Sequence, residues 1–176
     1  MIRRLSRPPV AALARDPDSG RWGNAERNPA YEPVPGVLVV GSEGPLFYAN
    51  AVSIKDHVHA LVQAADPTPA AVVLELSVSA DLDVGALDVL GELESELRRA
   101  GIELRLSAVR KPALELLRRS GLADRVRIEP TIAAAAAEPP RVPAVGDEAD
   151  GQRQPVRDEP VGEGGEDRVP RPHPGQ

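Results

Sequence analysis

Residues 70–99 read Ala-Ala-Val-Val-Leu-Glu-Leu-Ser-Val-Ser-Ala-Asp-Leu-Asp-Val-Gly-Ala-Leu-Asp-Val-Leu-Gly-Glu-Leu-Glu-Ser-Glu-Leu-Arg-Arg. They hold an apolar run, an acidic turn and a helical pattern in succession. Ala71 to Leu76 is nearly continuous Val and Leu, the pattern of a strand covered on both faces. Leu87, Leu90, Leu93 and Leu97 recur at steps of three, three and four and so line one stripe of a helix. Asp81-Leu82-Asp83 stops the strand, and Asp83 is placed to cap the helix. A buried strand running into a helix through such a turn is half of a βαβ unit, and open sheets place their ligands at turns of this kind.

Working outward, Glu103 to Ala108 alternates as a strand with Leu104 and Leu106 on one face, after a closing Gly101. Lys111-Pro112 opens a helix whose buried face is expected from Leu114, Leu116 and Leu117, ended by Ser120-Gly121. Val126 and Ile128 mark a short strand, and Thr131 to Ala137 an alanine-rich helix. On the other side, Val37 to Val40 is a strand and Pro45 to Tyr48 a short extended piece. A helix is expected over 51–65, capped by Asn50, with Val52, Val58, Leu61, Val62 and Ala65 sharing a face and Ile54 beside it. Asp66-Pro67 ends that helix. Val10 to Ala14 reads as an edge strand. A polar loop flanked by Trp22 and Tyr31 follows it, each ring able to cap the core or stack on a base. The fold class is α/β, a sandwich with a mixed central sheet flanked by about four α-helices.

The segment Asp81-Leu82-Asp83-Val84-Gly85-Ala86-Leu87 resembles the turn of the STAS domain, Arg7-Pro8-Pro9-Val10 resembles its Arg-Pro entry strand, and Pro45-Leu46-Phe47-Tyr48-Ala49-Asn50-Ala51 resembles a further segment of it. That domain occurs as the cytoplasmic tail of SulP-type anion transporters and as free-standing anti-sigma-factor antagonists. The Pro45–Ala51 segment is similar to the transporter branch. The resemblance implies a STAS sandwich and a regulatory, protein-contact role tied to sulfate or other anion transport. It also implies that Asp81, Asp83, Val84, Gly85 and Leu87 form a partner- or anion-binding turn. In the antagonist branch a kinase phosphorylates a Ser or Thr after the second Asp. The matching residue here is Val84, so no phosphorylation is expected at this turn. Implied partners are a transporter membrane domain or another STAS or anti-sigma protein. The rival readings are an anti-sigma-factor-antagonist-like signalling protein and a weak GTP- or ATP-binding sensor. Asp81 and Asp83 oppose phosphate at the turn, and the chain has no phosphate-binding Gly-x-x-x-x-Gly-Lys-Ser/Thr loop.

Composition narrows the rest. The chain has 176 residues, which suits one domain with extensions, here a basic segment 1–9, the domain 10–137 and a tail 138–176. Residues 139–176 hold eight Pro, six Gly and three more acidic than basic residues, a composition expected to be disordered. The absence of cysteine excludes disulfides and thiolate chemistry. The net charge of −6 disfavours nonspecific binding to nucleic acid or anionic lipid. No apolar run approaches the roughly 20 residues of a membrane span, and the start lacks a signal-peptide core. A cytoplasmic location is expected, with peripheral contact to the inner membrane face as a variant and no direct insertion. His57 and His59 lie two apart on a helix, so they cannot chelate one metal and are expected as surface side chains. Glu92, Glu94 and Glu96 read as a solvated helix face, with Glu94 and Arg98 at pairing distance. No cofactor and no catalytic constellation is expected, and the chain is read as a non-enzyme.

Overall fold

The computed structural model describes residues 10–42, 44–79 and 82–137. The chain divides into two units, Met1–Pro143 and Ala144–Gln176, and every described residue belongs to the first. The expected extensions 1–9 and 138–176 lie outside the described residues, as does Asp81.

The elements run β1 (Val10–Arg15), β2 (Trp22–Asn24), β3 (Val37–Ser42), α1 (Tyr48–Ala64), β4 (Ala71–Glu75), α2 (Val84–Arg99), β5 (Glu103–Ser107), α3 (Lys111–Arg119), β6 (Arg127–Glu129) and α4 (Ile132–Ala137). One six-stranded sheet has the order β2-β1-β3-β4-β5-β6. Strands β3 to β6 are parallel, while β1 runs antiparallel to both β2 and β3. The sheet is therefore mixed, and four helices cover it. β4 sits at its centre, which is why Ala71 to Leu74 are at most 1% exposed and why their sequence is apolar without alternation.

The period of two separates the faces. Val40, Leu74, Leu106 and Ile128 are in register and meet α1, α2 and α3 in the larger core cluster. Val39 and Val73 point the other way, where Ala135 and Ala136 of α4, with Trp22 and Leu13 beside them, cover the sheet. α2 anchors the larger face. Leu87, Leu90, Leu93 and Leu97 are all buried, and at about 1.5–3 kcal/mol for each buried leucine no other helix contributes as much. Its ends follow local chemistry: Asp83 caps the start, and Gly101, at φ 76°, takes the left-handed position after the last turn.

Several expectations change. Trp22–Asn24 is a strand, not loop, hydrogen-bonded to the edge of β1 through Ala14 and Gly23. α1 starts at Tyr48, three residues before the expected position, with Phe47 as N-cap. Asn50 lies inside the first turn, where its side-chain Oδ1 accepts from the Phe47 N–H at 3.0 Å and its Nδ2 donates to the Pro45 carbonyl at 2.9 Å. The buried residues are Ala51, Ile54 and Val58, at steps of three and four, and Val52, about 120° from Val58 around the axis, faces outward. In α3 the buried pair is Ala113 and Leu117, with Leu114 and Leu116 half-buried.

The acidic run of α2 is not a uniform solvated face. Glu94 is 3% exposed and is held by Arg125, with Arg98 at 3.4 Å. Glu92 and Glu96 reach across to α1, where Lys55 Nζ lies 2.8 Å from Glu92 and 3.4 Å from Glu96. His59 is half-buried in the same seam, its Nε2 2.6 Å from Glu96, whereas His57 turns back onto the Ser53 carbonyl at 2.6 Å. The His59 contact holds the Glu96 carboxyl below the usual range, with help from Lys55.

Candidate functional site

β3, β4 and β5 end on the side of the sheet where α1, α2 and α3 begin. Three tertiary contacts assemble that end. The buried Ser79 hydroxyl accepts from the Leu46 N–H at 2.9 Å, tying the β3–α1 and β4–α2 loops together. Arg110 Nε donates to the Ser77 carbonyl at 2.8 Å and joins the β5–α3 loop to them. Asp83 makes the third contact and serves two helices at once. Its Oδ1 accepts from the Ala86 N–H of α2 at 2.7 Å, and its Oδ2 accepts from the Tyr48 N–H of α1 at 2.9 Å. Both donors are backbone groups left without partners inside their own helices.

The Tyr48 and Ala86 N–H groups hold the Asp83 carboxyl below its ordinary value, the Tyr48 contact having the larger effect. A group depressed in this way supports the fold above the ordinary aspartate range. That support is lost as pH falls through the lower folded value. Asp83→Asn is therefore expected to lower stability near neutrality and to flatten the acid limb of the stability profile below about pH 4. Urea midpoints measured across the acid range check this.

Gly85 lets the two helix starts approach. A Cβ built there would lie 2.4 Å from Tyr48 Cδ2 and 3.1 Å from Tyr48 Cβ. Gly85→Ala should cost about 1–3 kcal/mol, and removing the ring in the Tyr48→Ala background should return most of that loss in a double-mutant cycle.

The turn residues then divide. Val84 is 68% exposed and Asp83 is also exposed, while Gly85 is half-buried beneath Tyr48. Leu87 does not belong to the surface, contrary to expectation: it is 6% exposed and packs in the core stripe of α2, because it is the first member of the leucine series. Sequence reasoning assigns Val52 to the buried face of α1 and places none of Phe47, Tyr48 and Val78 in a site. Together with Val84 these are the exposed large apolar side chains among the described residues, and all five lie at this one end. A signal was available, since adjacent aromatic residues at the start of a helix cannot both face its core.

The chemistry open to this surface is limited. Asp83 has both oxygens engaged by backbone N–H groups and a lowered affinity for protons, so it makes a poor general base. The Ser79 hydroxyl is buried, and Val84 carries none. Among the described residues no three His, Asp or Glu side chains converge as metal ligands. What the end offers is a group of exposed apolar side chains on a cross-tied base, an arrangement suited to contact with another molecule.

The STAS domain family model matches residues 28–135. A probable sulfate transporter of Mycobacterium tuberculosis is 30% identical over 129 residues, covering 72% of this chain and 22% of that protein. Probable sulfate transporter 4.2 of Arabidopsis thaliana is 27% identical over 133 residues, covering 70% of this chain and 20% of the other. The chain thus spans about a fifth of the length of the curated relatives it matches. Among solved structures, the murine Solute Carrier 26 family member A9 anion transporter aligns with a TM-score of 0.66 at 20% identity, over 73% of this chain and 22% of that one. A sulfate transporter family protein of Wolinella succinogenes aligns at 0.52 and 21% identity, over 65% and 93%. A Thermotoga maritima protein provisionally assigned as an anti-sigma factor antagonist aligns at 0.52 and 22%, over 60% and 88%. At these identities the structural matches speak for the fold.

Proposed function

The chain belongs to the STAS domain family, and from that premise we propose that it is a non-catalytic docking module of the kind attached to SulP-type sulfate transporters. Its proposed partner is a transporter membrane domain, and its contact surface is the end formed by the first turns of α1 and α2. The observation carrying this reading is that the exposed large apolar side chains of the described residues gather at that end. A patch of that kind on a monomer usually marks an interface. No helix among the described residues is long and apolar enough to cross a membrane, so any role of this unit in transport runs through contact.

The test is direct binding between the purified chain and the detergent-solubilised membrane domain of a sulfate-transporter relative from the same host. Saturable binding at micromolar concentration or tighter is expected; no retention at any concentration would overturn the proposal. The rival reading, a phosphorylation-controlled antagonist, is disfavoured by valine at position 84. Incubation with anti-sigma-factor kinases and ATP is expected to leave residues 77–85 unmodified by mass spectrometry, and a phosphate there would favour the rival.

A further inference from the structure

We propose that the docking end selects a cationic amphipathic segment of its partner, with apolar side chains against Tyr48, Val52 and Val84 and Lys or Arg side chains at Asp56 and Asp88. This rests on the docking reading above and adds the chemistry of the segment that docks. Two neighbouring helices repeat one pattern. On α1, exposed Val52 is followed one turn later by exposed Asp56, and on α2, exposed Val84 is followed one turn later by exposed Asp88. The two helices lie side by side, meeting where the Tyr48 ring approaches Gly85 and where Lys55 Nζ lies 2.8 Å from Glu92. Packed helices stand about 8–10 Å apart, so a single helical or extended segment can touch both valines and both carboxylates.

The charges on this surface do not balance. Residues 82–97 hold five carboxylates and no Lys or Arg. Glu92 and Glu96 are matched by Lys55, and Glu94 by Arg98 and Arg125. Asp83 is satisfied by two backbone N–H groups. Asp56 and Asp88 make no ion pair among the described residues, so their two charges are left for a partner to meet. An acidic segment would set like charges together, and a purely apolar one would strip water from two unpaired carboxylates. A segment with Lys or Arg one turn from its apolar contacts avoids both costs. Arg110, held on the Ser77 carbonyl, and Lys111 next to it lie on the opposite border beside Val78, which turns the basic side of such a segment toward Asp56 and Asp88. Short cytoplasmic loops of membrane proteins carry an excess of Lys and Arg, so a loop of that kind is the part of a membrane domain that this surface fits.

The probes are two amphipathic peptides, one of Leu-Lys-Lys-Leu repeats and one of Leu-Glu-Glu-Leu repeats, titrated into the full isotope-labelled chain and followed by amide NMR. The lysine peptide is expected to bind saturably with shifts centred on residues 47–56 and 83–88, and the glutamate peptide at least about tenfold more weakly. Asp56→Lys/Asp88→Lys should weaken the lysine peptide by about tenfold or more, and Asp56→Asn/Asp88→Asn by an intermediate factor. Asp18→Lys/Glu26→Lys makes the same change in net charge at exposed sites in the turns flanking β2 and should leave binding within about twofold. Equal affinity for the two peptides, shifts centred elsewhere, or equal losses in the two reversed chains would overturn the cationic preference. Titration against the membrane domain separates it from docking itself. If Asp56→Lys/Asp88→Lys binds as tightly as the unaltered chain, docking stands and the preference falls; if the unaltered chain does not bind, docking falls while the peptide result stands.

Discussion

Val84→Asp is expected to leave the fold intact and to remove at least about 2 kcal/mol of partner binding, roughly thirtyfold in affinity. Val84 is 68% exposed at the first position of α2, so its side chain contributes little to the core. Aspartate in the first turn faces the positive end of the helix dipole, so stability should stay within about 0.5 kcal/mol. A docked partner has to desolvate the patch, and a carboxylate at its centre makes that step unfavourable. Titration against the membrane domain together with a urea melt reads both quantities. A large loss of stability would mean that Val84 is structural; unchanged binding would mean that the patch is not the contact.

Arg105→Ala is expected to have the largest effect on stability, about 3–5 kcal/mol. Arg105 is fully buried on the face of the sheet opposite α1, α2 and α3. Its Nη1 donates to the Ala135 carbonyl at 2.5 Å, and its Nε and Nη2 lie 3.1 and 2.8 Å from Glu103 Oε2. Truncation opens a cavity, strips the carbonyl at the end of α4 of its donor and leaves Glu103 with less of its compensating charge, though Arg127 remains 3.4 Å away. Arg105→Met fills the space without a charge and should cost much less, because a buried ion is replaced by packing of similar volume. Chemical-denaturation midpoints of the two variants check this, and equal losses would show that volume rather than charge pairing governs the site.

The parts legible in the sequence were those whose signal repeats. β4 and the leucine stripe of α2 each present the same burial decision several times over, so the strand, the helix and the turn between them follow from pattern alone. The capping role of Asp83 toward Ala86 was readable for the same reason, since it lies within one local motif. Its second hydrogen bond, to Tyr48 35 residues earlier, depends on how two helices meet and leaves no local trace. Glu94 is set apart from Glu92 and Glu96 by Arg125, which arrives from 31 residues away. β2 was missed because three residues, Trp-Gly-Asn, show no alternation and pair with only one neighbour. The apolar patch was half legible: Val84 stood out against the family pattern, whereas the exposure of Tyr48 and Val52 depends on the stripe of α1 that meets the core, Ala51, Ile54 and Val58.

The most direct measurement of the central claim is amide hydrogen exchange on the full chain, alone and saturated with the membrane domain of a sulfate-transporter relative. Slower exchange concentrated in residues 46–53 and 77–87 is the expected result. Slowing confined to the β2 or β6 edge of the sheet, or no change in 46–53 and 77–87 at saturation, would contradict the account.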